Sequence, residues 1–109
     1  MNTVKLIGNV GNEVNVLTFD NGKKASFSLA TNETYTNKNN EEVKNTTWHN
    51  VVAWGKVAEI ASKFLDKGKE VAVEGKLVSR NYSDKEGIKR YITEIVVNDL
   101  LLIGSKSKD

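Results

Sequence analysis

The sequence predicts a small, mostly β domain with a single short helix. Apolar residues recur with a period of two, as in half-buried strands, in five separate stretches. Residues 55 to 68 have the helical period instead, and they follow the third of those stretches. A chain of 109 residues suits one domain and can bury a core without a metal or a disulfide. The absence of cysteine excludes a disulfide framework and thiol chemistry.

The first two strands are predicted to form a tight hairpin. An apolar run that starts at Val4 is the first strand region, and the glycines of residues 8 to 13 indicate a bend within it. The second strand alternates serines with the apolar residues Ala25, Phe27 and Leu29. The Asn-Gly of "DNG", residues 20 to 22, is typical of a two-residue hairpin turn in which both central residues have positive φ.

A polar, asparagine-rich stretch separates the second strand from the third. Residues 31 to 45 are predicted to be a long exposed loop, and loops of that length in small domains are often functional. The third strand is "WHNVVAW", residues 48 to 54. The helix after it has one apolar stripe, made of Val57, Ile60, Ala61, Phe64 and Leu65. Gly55 can cap its start, and Gly68 suits the positive-φ position after its end.

Two further strands complete the pattern. Residues 69 to 80 and 90 to 104 have strand-like alternation, and residues 81 to 87 form a turn-rich tip between them. A five-stranded, partly closed Greek-key barrel with its helix between strands three and four is the oligonucleotide/oligosaccharide-binding fold, the OB-fold. Other Greek-key barrels also have five strands, and the helix position favours this one. We therefore predict an OB-fold domain over residues 1 to 104 and a disordered polar C-terminus over residues 105 to 109.

Charge and hydropathy narrow the function classes. The formal net charge is +2, from 16 basic and 14 acidic residues, which is low for a protein that wraps duplex DNA. Residues 76 to 91 have a net charge of +3 (five basic, two acidic), whereas residues 31 to 50 have −1 (two basic, three acidic). The N-terminus has no secretory signal, and no stretch approaches the ~18 consecutive apolar residues of a membrane span. These features predict a soluble, cytoplasmic protein that does not associate with membranes.

Few residues of this chain could support catalysis. With one histidine, His49, and no cysteine, it has few routes to a nucleophile–base pair. His49 could be a general base, but beside a tryptophan on a strand a histidine is more often structural. No carboxylates lie at metal-ligand spacing around it, and the glycines of residues 8 to 13 lack the lysine and the helix of a phosphate-binding loop. We predict no catalytic residue, no metal site and no cofactor.

The aromatic residues are more informative. Trp48 and Trp54 are six residues apart, so a regular strand places both on one face. They could fill the core, but the opposite face of that strand and the helix already provide apolar core residues. Tyr35 and Tyr82 lie in polar, turn-rich segments, although a tyrosine there could also be a packing residue. Exposed rings interleaved with basic residues favour single-strand binding, because rings stack on any base while lysine and arginine contact phosphates.

A resemblance to a known family rests on four segments, "VKLIGNVG", "FSLATNETY", "TTWHNVVAWGKVAEIASKFLDKG" and "VAVEGKLVSRNYSDKEGIKRYITEIVV". They resemble the bacterial-type single-stranded DNA-binding protein family over about residues 2 to 103. The string W-H-x-V-V-x-aromatic-G-K-x-A-E-I-A is highly specific to that family. The resemblance implies an OB barrel, usually a homotetramer, that coats single-stranded DNA without strong sequence preference in replication, recombination and repair.

The resemblance also implies roles for individual residues. Bases would stack on the aromatic side chains of Tyr35, Trp48, Trp54 and Tyr82. Phosphates would be contacted by the basic side chains of Lys38, Lys56, Arg80 and Arg90, together with Lys76 from the basic stretch. His49 would point away from the two tryptophans and lie at a subunit interface.

Three positions depart from the family pattern. Asn50, Val78 and Asn81 stand where the family often has a basic residue. Each departure removes an expected phosphate contact. We therefore predict a shallower salt dependence of binding than a more basic member would show, because the slope scales with the number of phosphates neutralised.

The family's Gly/Pro/Gln-rich linker with an acidic, hydrophobic tip does not follow residue 104 in this sequence, whether by nature or by removal. Partners recruited through that tip are therefore not expected.

Two alternatives remain open: a short, dimeric primosome-type OB accessory protein that works mainly by protein contacts, and an enzyme or sugar-binding OB module. The mass in solution would separate the first from a tetramer, and tight binding to oligothymidine with tryptophan quenching would argue against the second.

Overall fold

A computed structural model describes residues 1 to 103 of the chain. Along this part the elements are β1 (Val4–Val10), β2 (Asn15–Phe19), β3 (Gly22–Thr36), β4 (Glu42–Trp54), α1 (Gly55–Phe64), β5 (Glu70–Ser83) and β6 (Lys89–Leu102). The predicted disordered C-terminus, residues 105 to 109, lies outside the described residues.

The strands close into a barrel. Hydrogen-bonded neighbours follow the order β1-β5-β6-β4-β3, and β1 pairs with β3 through Asn9↔Ala30 and Val10↔Leu29 to complete the circle. β4 and β6 are parallel, and β2 extends the sheet beyond β3. β1 and β2 are two segments of one strand that bends at residues 11 to 14. Counted in this way, α1 lies between the third and fourth strands, and the predicted OB-fold is confirmed.

The barrel interior holds the hydrophobic core. Strand residues that point inward are almost completely buried, among them Ala25, Phe27, Leu29, Val51, Ala53, Val71 and Ile95. Successive side chains of a strand point to opposite faces, so the residues between these point outward. The alternation predicted for the second and third strands is therefore confirmed, and it determines which side chains are available for function.

The β2–β3 hairpin has a two-residue turn, but the turn is centred one residue earlier than predicted. Phe19 pairs with Gly22, so Asp20 and Asn21 are the central residues. Neither has positive φ, and the left-handed conformation falls on Gly22, with φ of 151°. The prediction that the Asn-Gly pair forms the turn centre is wrong, because Gly22 is already the first residue of β3.

Two long hairpins extend beyond the barrel. β3 and β4 remain paired as far as Thr36↔Glu42, so the predicted loop of residues 31 to 45 is mostly strand. The loop prediction is wrong because both faces of this ribbon are polar and largely exposed, which leaves no hydrophobic alternation to detect. β5 and β6 pair as far as Ser83↔Lys89, so the tip predicted at residues 81 to 87 is residues 84 to 88.

The tips of these two hairpins, residues 37 to 41 and 84 to 88, share one geometry. In each tip the first side chain, Asn37 or Asp84, accepts hydrogen bonds at 2.9 Å from the backbone N–H groups two and four residues later. The fourth residue, Asn40 or Gly87, has a positive φ of 65° or 79°. Asn or Asp at the first position and Asn or Gly at the fourth are the residue types that such turns favour.

The helix packs on the barrel with a stripe that differs from the predicted one. Ala58, Ala61 and Leu65 are buried, whereas Ile60 and Phe64 are exposed. The prediction was wrong for Ile60 and Phe64, because the two alanines let α1 approach the strands closely and turn the larger side chains outward. No helix within residues 1 to 103 is long and apolar enough to cross a membrane.

The ends of α1 also differ in detail from the prediction. Trp54, the last residue of β4, is the N-cap residue, and Gly55 begins the helix with a left-handed φ of 62°. The helix ends at Phe64, and Gly68 has the predicted positive φ, at 93°. Because glycine takes φ of 62° without a steric penalty from a Cβ atom, Gly55 lets the chain turn directly from strand into helix.

Candidate nucleic-acid interface

The outer face of the barrel carries most of the predicted binding residues. We define it as the even-numbered residues of β3, of β4, of β5 from Lys76 and of β6 up to Val96. Cross-strand pairs join these residues, including Lys24↔Trp54, Ala30↔Trp48, Val52↔Val96, Lys76↔Val96 and Tyr82↔Arg90. The outer face thereby brings together six of the predicted residues, Trp48, Trp54, Tyr82, Lys76, Arg80 and Arg90.

The Trp48 ring packs against the backbone of Gly11. A Cβ placed on Gly11 would overlap the indole, so the ring and the main chain are in close contact. Trp48 is nevertheless 61% exposed. One side of the ring therefore rests on the protein while the rest is open to solvent. A ring held in this way loses less conformational entropy when a base stacks on it.

Trp54 has two neighbours that sequence reasoning missed. Its ring stacks on Phe19, with 6.3 Å between the ring centroids and 24° between the planes. The Nζ atom of Lys24 lies 5.3 Å from the centroid of the Trp54 ring. Both contacts cross from one strand to another, so they become visible only when the register is known.

Tyr82 and Arg80 lie together on the β5 side of the outer face. The guanidinium carbon of Arg80 is 5.9 Å from the centroid of the Tyr82 ring. Arg80 donates from Nε to Glu94 Oε1 at 3.0 Å and from Nη2 to Oε2 at 3.3 Å. The hydrogen bond and the charge of Glu94 raise the pKa of Arg80 above its ordinary value. Arg80 is therefore already paired with a carboxylate, which a phosphate would have to share.

The other predicted phosphate contacts differ in their surroundings. Arg90 donates from Nε to Asp84 Oδ2 at 3.0 Å, so it too has a carboxylate partner. Lys76 is exposed on the outer face. Lys38 lies in the β3–β4 tip and Lys56 at the start of α1, so the structure does not bring either onto the outer face. Sequence reasoning missed Lys85, which has the same position in the second tip that Lys38 has in the first.

Tyr35 does not share the outer face with Trp48. It pairs with Val43, five residue pairs beyond Ala30↔Trp48, and an odd number of steps along a ribbon reverses the face. The Tyr35 ring is exposed, so it is accessible to a ligand. A nucleic-acid strand that touches both rings must follow the twist of the ribbon or pass around its edge. Base stacking on Tyr35 stays a prediction.

His49 points away from Trp48, as strand alternation predicts. It pairs with the buried Leu29, and its Nε2 atom lies 3.0 Å from Thr31 Oγ1. This hydrogen bond fixes the orientation of the ring. A role of His49 at a subunit interface stays a prediction. No group of three or more His, Asp or Glu side chains in residues 1 to 103 is arranged to hold a metal ion.

A polar groove lies between the two tryptophans on the outer face. Their Cα atoms are six residues apart on β4, about 20 Å along an extended strand. The groove has a volume of about 280 Å³, and its polar lining comprises Asn12, Asn15, Ser26, Ser28, Asn50 and Glu94. Asn12 is held there because its Oδ1 accepts a hydrogen bond from the Ser28 N–H at 3.0 Å. Amide and hydroxyl groups can both donate to and accept from base edges, so Asn50 can contribute hydrogen bonds to a base although it carries no charge.

Comparisons with known proteins point to one family. The family model described as "Single-strand binding protein family" matches residues 1 to 103. A "Single-stranded DNA-binding protein" of Neisseria meningitidis is 39% identical over 110 residues, which cover 100% of this chain and 63% of the relative. "Single-stranded DNA-binding protein 1" of Xylella fastidiosa is 43% identical over 109 residues, which cover 97% of this chain and 79% of the relative.

A solved structure has the same fold over almost its whole length. The Plasmodium falciparum SSB in complex with single-stranded DNA matches with a TM-score of 0.87 and 35% identity, over 95% of this chain and 96% of that one. The curated relatives extend further than this chain does. The chain spans about 63% of the length of the Neisseria relative.

Proposed function

The chain belongs to the single-strand binding protein family, and we propose that it binds and protects single-stranded DNA without strong sequence preference in replication, recombination and repair. The observation that carries the proposal is the pair of exposed rings, Trp48 and Trp54, on one face of the barrel. Every base has a π-face, so each ring can stack on any base. The printed names of the relatives and of the solved complex support the same ligand.

The charges of the outer face support binding that depends only weakly on salt, and we propose that the chain coats the DNA without catalysing a reaction. Arg80 and Arg90 already pair with Glu94 and Asp84, so a phosphate at either arginine competes with a carboxylate. Asn50 adds hydrogen-bonding groups to the groove but no charge. The magnitude of the slope of log K against log salt is about 0.7 for each phosphate of a single strand that the protein neutralises. Because these residues neutralise few phosphates, we propose a shallow slope for this chain.

The outer lysines complete the proposed phosphate contacts. Lys76 lies on the same outer face as the Trp48, Trp54 and Tyr82 rings, while Lys38 lies on the β3–β4 tip and Lys56 on α1. A flexible ammonium at either place can follow a backbone that leaves the face in more than one direction. We propose that the chain works in the cytoplasm, at the nucleoid. The dimeric primosome-type alternative is not favoured, because the matched relatives are named as single-stranded DNA-binding proteins.

Tryptophan fluorescence during titration with poly-thymidine tests the proposed function. Binding should quench the emission, and Trp48→Ala and Trp54→Ala should each weaken binding by about 1–3 kcal/mol. Tyr91→Ala is a matched control, because Tyr91 is an exposed ring that pairs with Asn81 on the opposite face of the β5–β6 hairpin. If neither tryptophan substitution weakened binding while circular dichroism showed an intact fold, the stacking proposal would be wrong.

We also propose that the chain assembles as a homotetramer. An apolar patch supports self-association: Ile7 pairs with Ala72 and Ala72 with Leu101, while Ile7 and Leu101 are 60% and 65% exposed. The next row of the same surface is charged and consists of Lys5, Glu74 and Asp99. A second copy of this surface can cover the apolar row and pair opposite charges about a two-fold axis. We call this surface the Ile7–Leu101 patch. The role of His49 in assembly, which the family resemblance implies, is part of the same proposal.

A further inference from the structure

The β2–β3 hairpin brings a second aromatic ring and a cation to Trp54. Leu17 pairs with Lys24 and Lys24 with Trp54, so these side chains lie in one row on the outer surface, and Phe19 is two residues further along β2. Phe19 and Trp54 are 46% and 50% exposed although their rings are stacked. Neither Phe19 nor Lys24 belongs to the set of contacts that the family resemblance implies.

We propose that this hairpin is a further nucleic-acid contact, a Phe19–Lys24–Trp54 subsite. In it, Phe19 extends the stacking surface of Trp54, and Lys24 moves from the indole ring to a phosphate when a base stacks there. The inference rests on the proposed binding of single-stranded DNA, and it adds the Phe19 and Lys24 side chains of this hairpin to the interface.

The position of Phe19 suits it to meet a base. The tight turn after it restricts the end of β2, and its cross-strand partner Gly22 has no side chain that could cover the ring. Its plane is only 24° from that of Trp54 and the ring centroids are 6.3 Å apart, so the two rings are nearly parallel and offset. Such an offset is a favourable aromatic geometry, and it leaves part of each ring face uncovered, so the Phe19 ring adds its own face for stacking on a base.

The Lys24 ammonium can contact either the Trp54 ring or a phosphate. In the unbound chain its Nζ lies 5.3 Å from the centroid of the indole, a cation–π contact that is weak at an exposed site. Stacking of a base on the same ring is the stronger interaction, so the base displaces the ammonium rather than the reverse. The displaced ammonium remains beside Trp54 on a flexible four-carbon stem, within reach of the backbone of that nucleotide. Lys24 therefore neutralises a phosphate only after the base has arrived.

The salt dependence of oligothymidine binding tests Lys24. Lys24→Gln should make the slope of log K against log salt shallower by about 0.7, the magnitude for one neutralised phosphate on a single strand. Lys23→Gln is the matched control: it removes the same charge from the same strand, but Lys23 pairs with Thr18 and points to the opposite face. It should keep the original slope, and so should Lys24→Arg. Equal slopes for Lys24→Gln and Lys23→Gln would overturn the assignment.

Affinity at fixed salt tests Phe19. Phe19→Leu should bind oligothymidine about fivefold more weakly or worse, because one stacking ring is lost. Phe64→Leu makes the same change at another half-exposed phenylalanine, on α1, and should leave the affinity unchanged. Phe19→Leu binding like the original chain would overturn the proposal for Phe19.

A photo-crosslinking map keeps the proposal testable if a variant fails to fold. With 5-iododeoxyuridine oligomers and the unsubstituted chain, crosslinks are expected in β2 at Phe19 as well as at Trp54. Crosslinks at Trp54 with none in β2 would contradict the subsite. Failure of the unsubstituted chain to bind oligothymidine would defeat the proposed function, whereas binding that ignores the hairpin variants would defeat only this inference.

Discussion

At the scale of single residues, the two tryptophans show how a ring can be exposed and still held in place. Exposed apolar surface costs free energy, and each indole has part of its surface covered by a neighbour, such as Gly11 for Trp48 and Phe19 for Trp54. The common face of Trp48 and Trp54 could be predicted, because strand alternation depends only on their even spacing. Their neighbours could not, because they come from other parts of the chain, whose alignment with β4 the sequence pattern leaves open.

Gly11→Ala should weaken single-stranded DNA binding by displacing the Trp48 ring. The new Cβ would overlap the indole, and Gly11 has no left-handed φ that would strain an alanine. We expect a loss that approaches the contribution of one stacking ring, about 1–3 kcal/mol, in fluorescence titrations with oligothymidine. The barrel should remain folded, because the ring that moves is exposed.

A double-mutant cycle separates positioning of the ring from a direct contact. In a Trp48→Ala background, Gly11→Ala should cost little more, because the ring it displaces is already absent. If the double variant lost as much binding free energy as the two single variants together, Gly11 would act independently of Trp48, contrary to the geometry.

At the scale of elements, the hairpins extend further than their sequences indicate. The β3–β4 ribbon was predicted as a loop because its residues are polar on both faces, and pairing between two polar strands has no signature in hydropathy. The helix was predicted correctly, but its stripe was not, because Ala58 is less apolar than Ile60 and yet lies against the barrel. The tips were recognisable as turns from their Asn, Asp and Gly residues.

Acid should loosen the β5–β6 tip. The hydrogen bond from the Ile88 N–H, followed by those from the Arg90 side chain and the Glu86 N–H, holds the pKa of Asp84 below its ordinary value of 3.8. A carboxyl whose pKa is lowered by folding contributes its full stabilisation above its unfolded pKa. That contribution is lost as the pH falls below 3.8 and through the lower folded pKa. NMR shifts of the Glu86 and Ile88 amides should therefore follow the titration of Asp84 in this acid range.

The other tip provides an internal control for the acid titration. Asn37 has the position of Asp84 but its side-chain amide does not ionise, so the amide of Asn39 should not follow a titration of the first tip residue. Asp84→Asn should abolish the response of the β5–β6 tip. Equal responses of the two tips, or a response that survives Asp84→Asn, would show that another group controls them.

At the scale of the whole molecule, the barrel presents two surfaces with different chemistry. The outer face combines rings, cations and a polar groove, whereas the Ile7–Leu101 patch is apolar with a charged row. Gly75 pairs with Val97 but Glu74 pairs with Asp99, so Asn98 is an extra residue in β6. This bulge turns Leu101 outward in place of Leu100. The closed barrel could be predicted from the order of its elements, but the bulge could not, because "NDLLL" has no alternation that marks it.

The mass in solution tests the assembly that this patch supports. Sedimentation should give four times the chain mass of 12.1 kDa for the unsubstituted protein. Leu101→Lys should lower it, because an unpaired charge would be buried in the interface. Ile60→Lys makes a similar change at an exposed residue of α1 and should not alter the mass. A single-chain mass for the unsubstituted protein, or an unchanged mass for Leu101→Lys, would contradict the proposed interface.

The reversal of face between Trp48 and Tyr35 constrains how the β3–β4 hairpin can evolve. Five residue pairs separate the two rings along the ribbon. Deletion or insertion of a single pair, one residue from each strand, would carry Tyr35 to the same side as Trp48, and a second such event would return it. Each change of hairpin length by one pair therefore moves the tip aromatic to the opposite face of the ribbon, in addition to changing its distance from the barrel. Homologues whose hairpins differ by an odd number of pairs should present their tip aromatic to opposite sides of the path that the DNA takes.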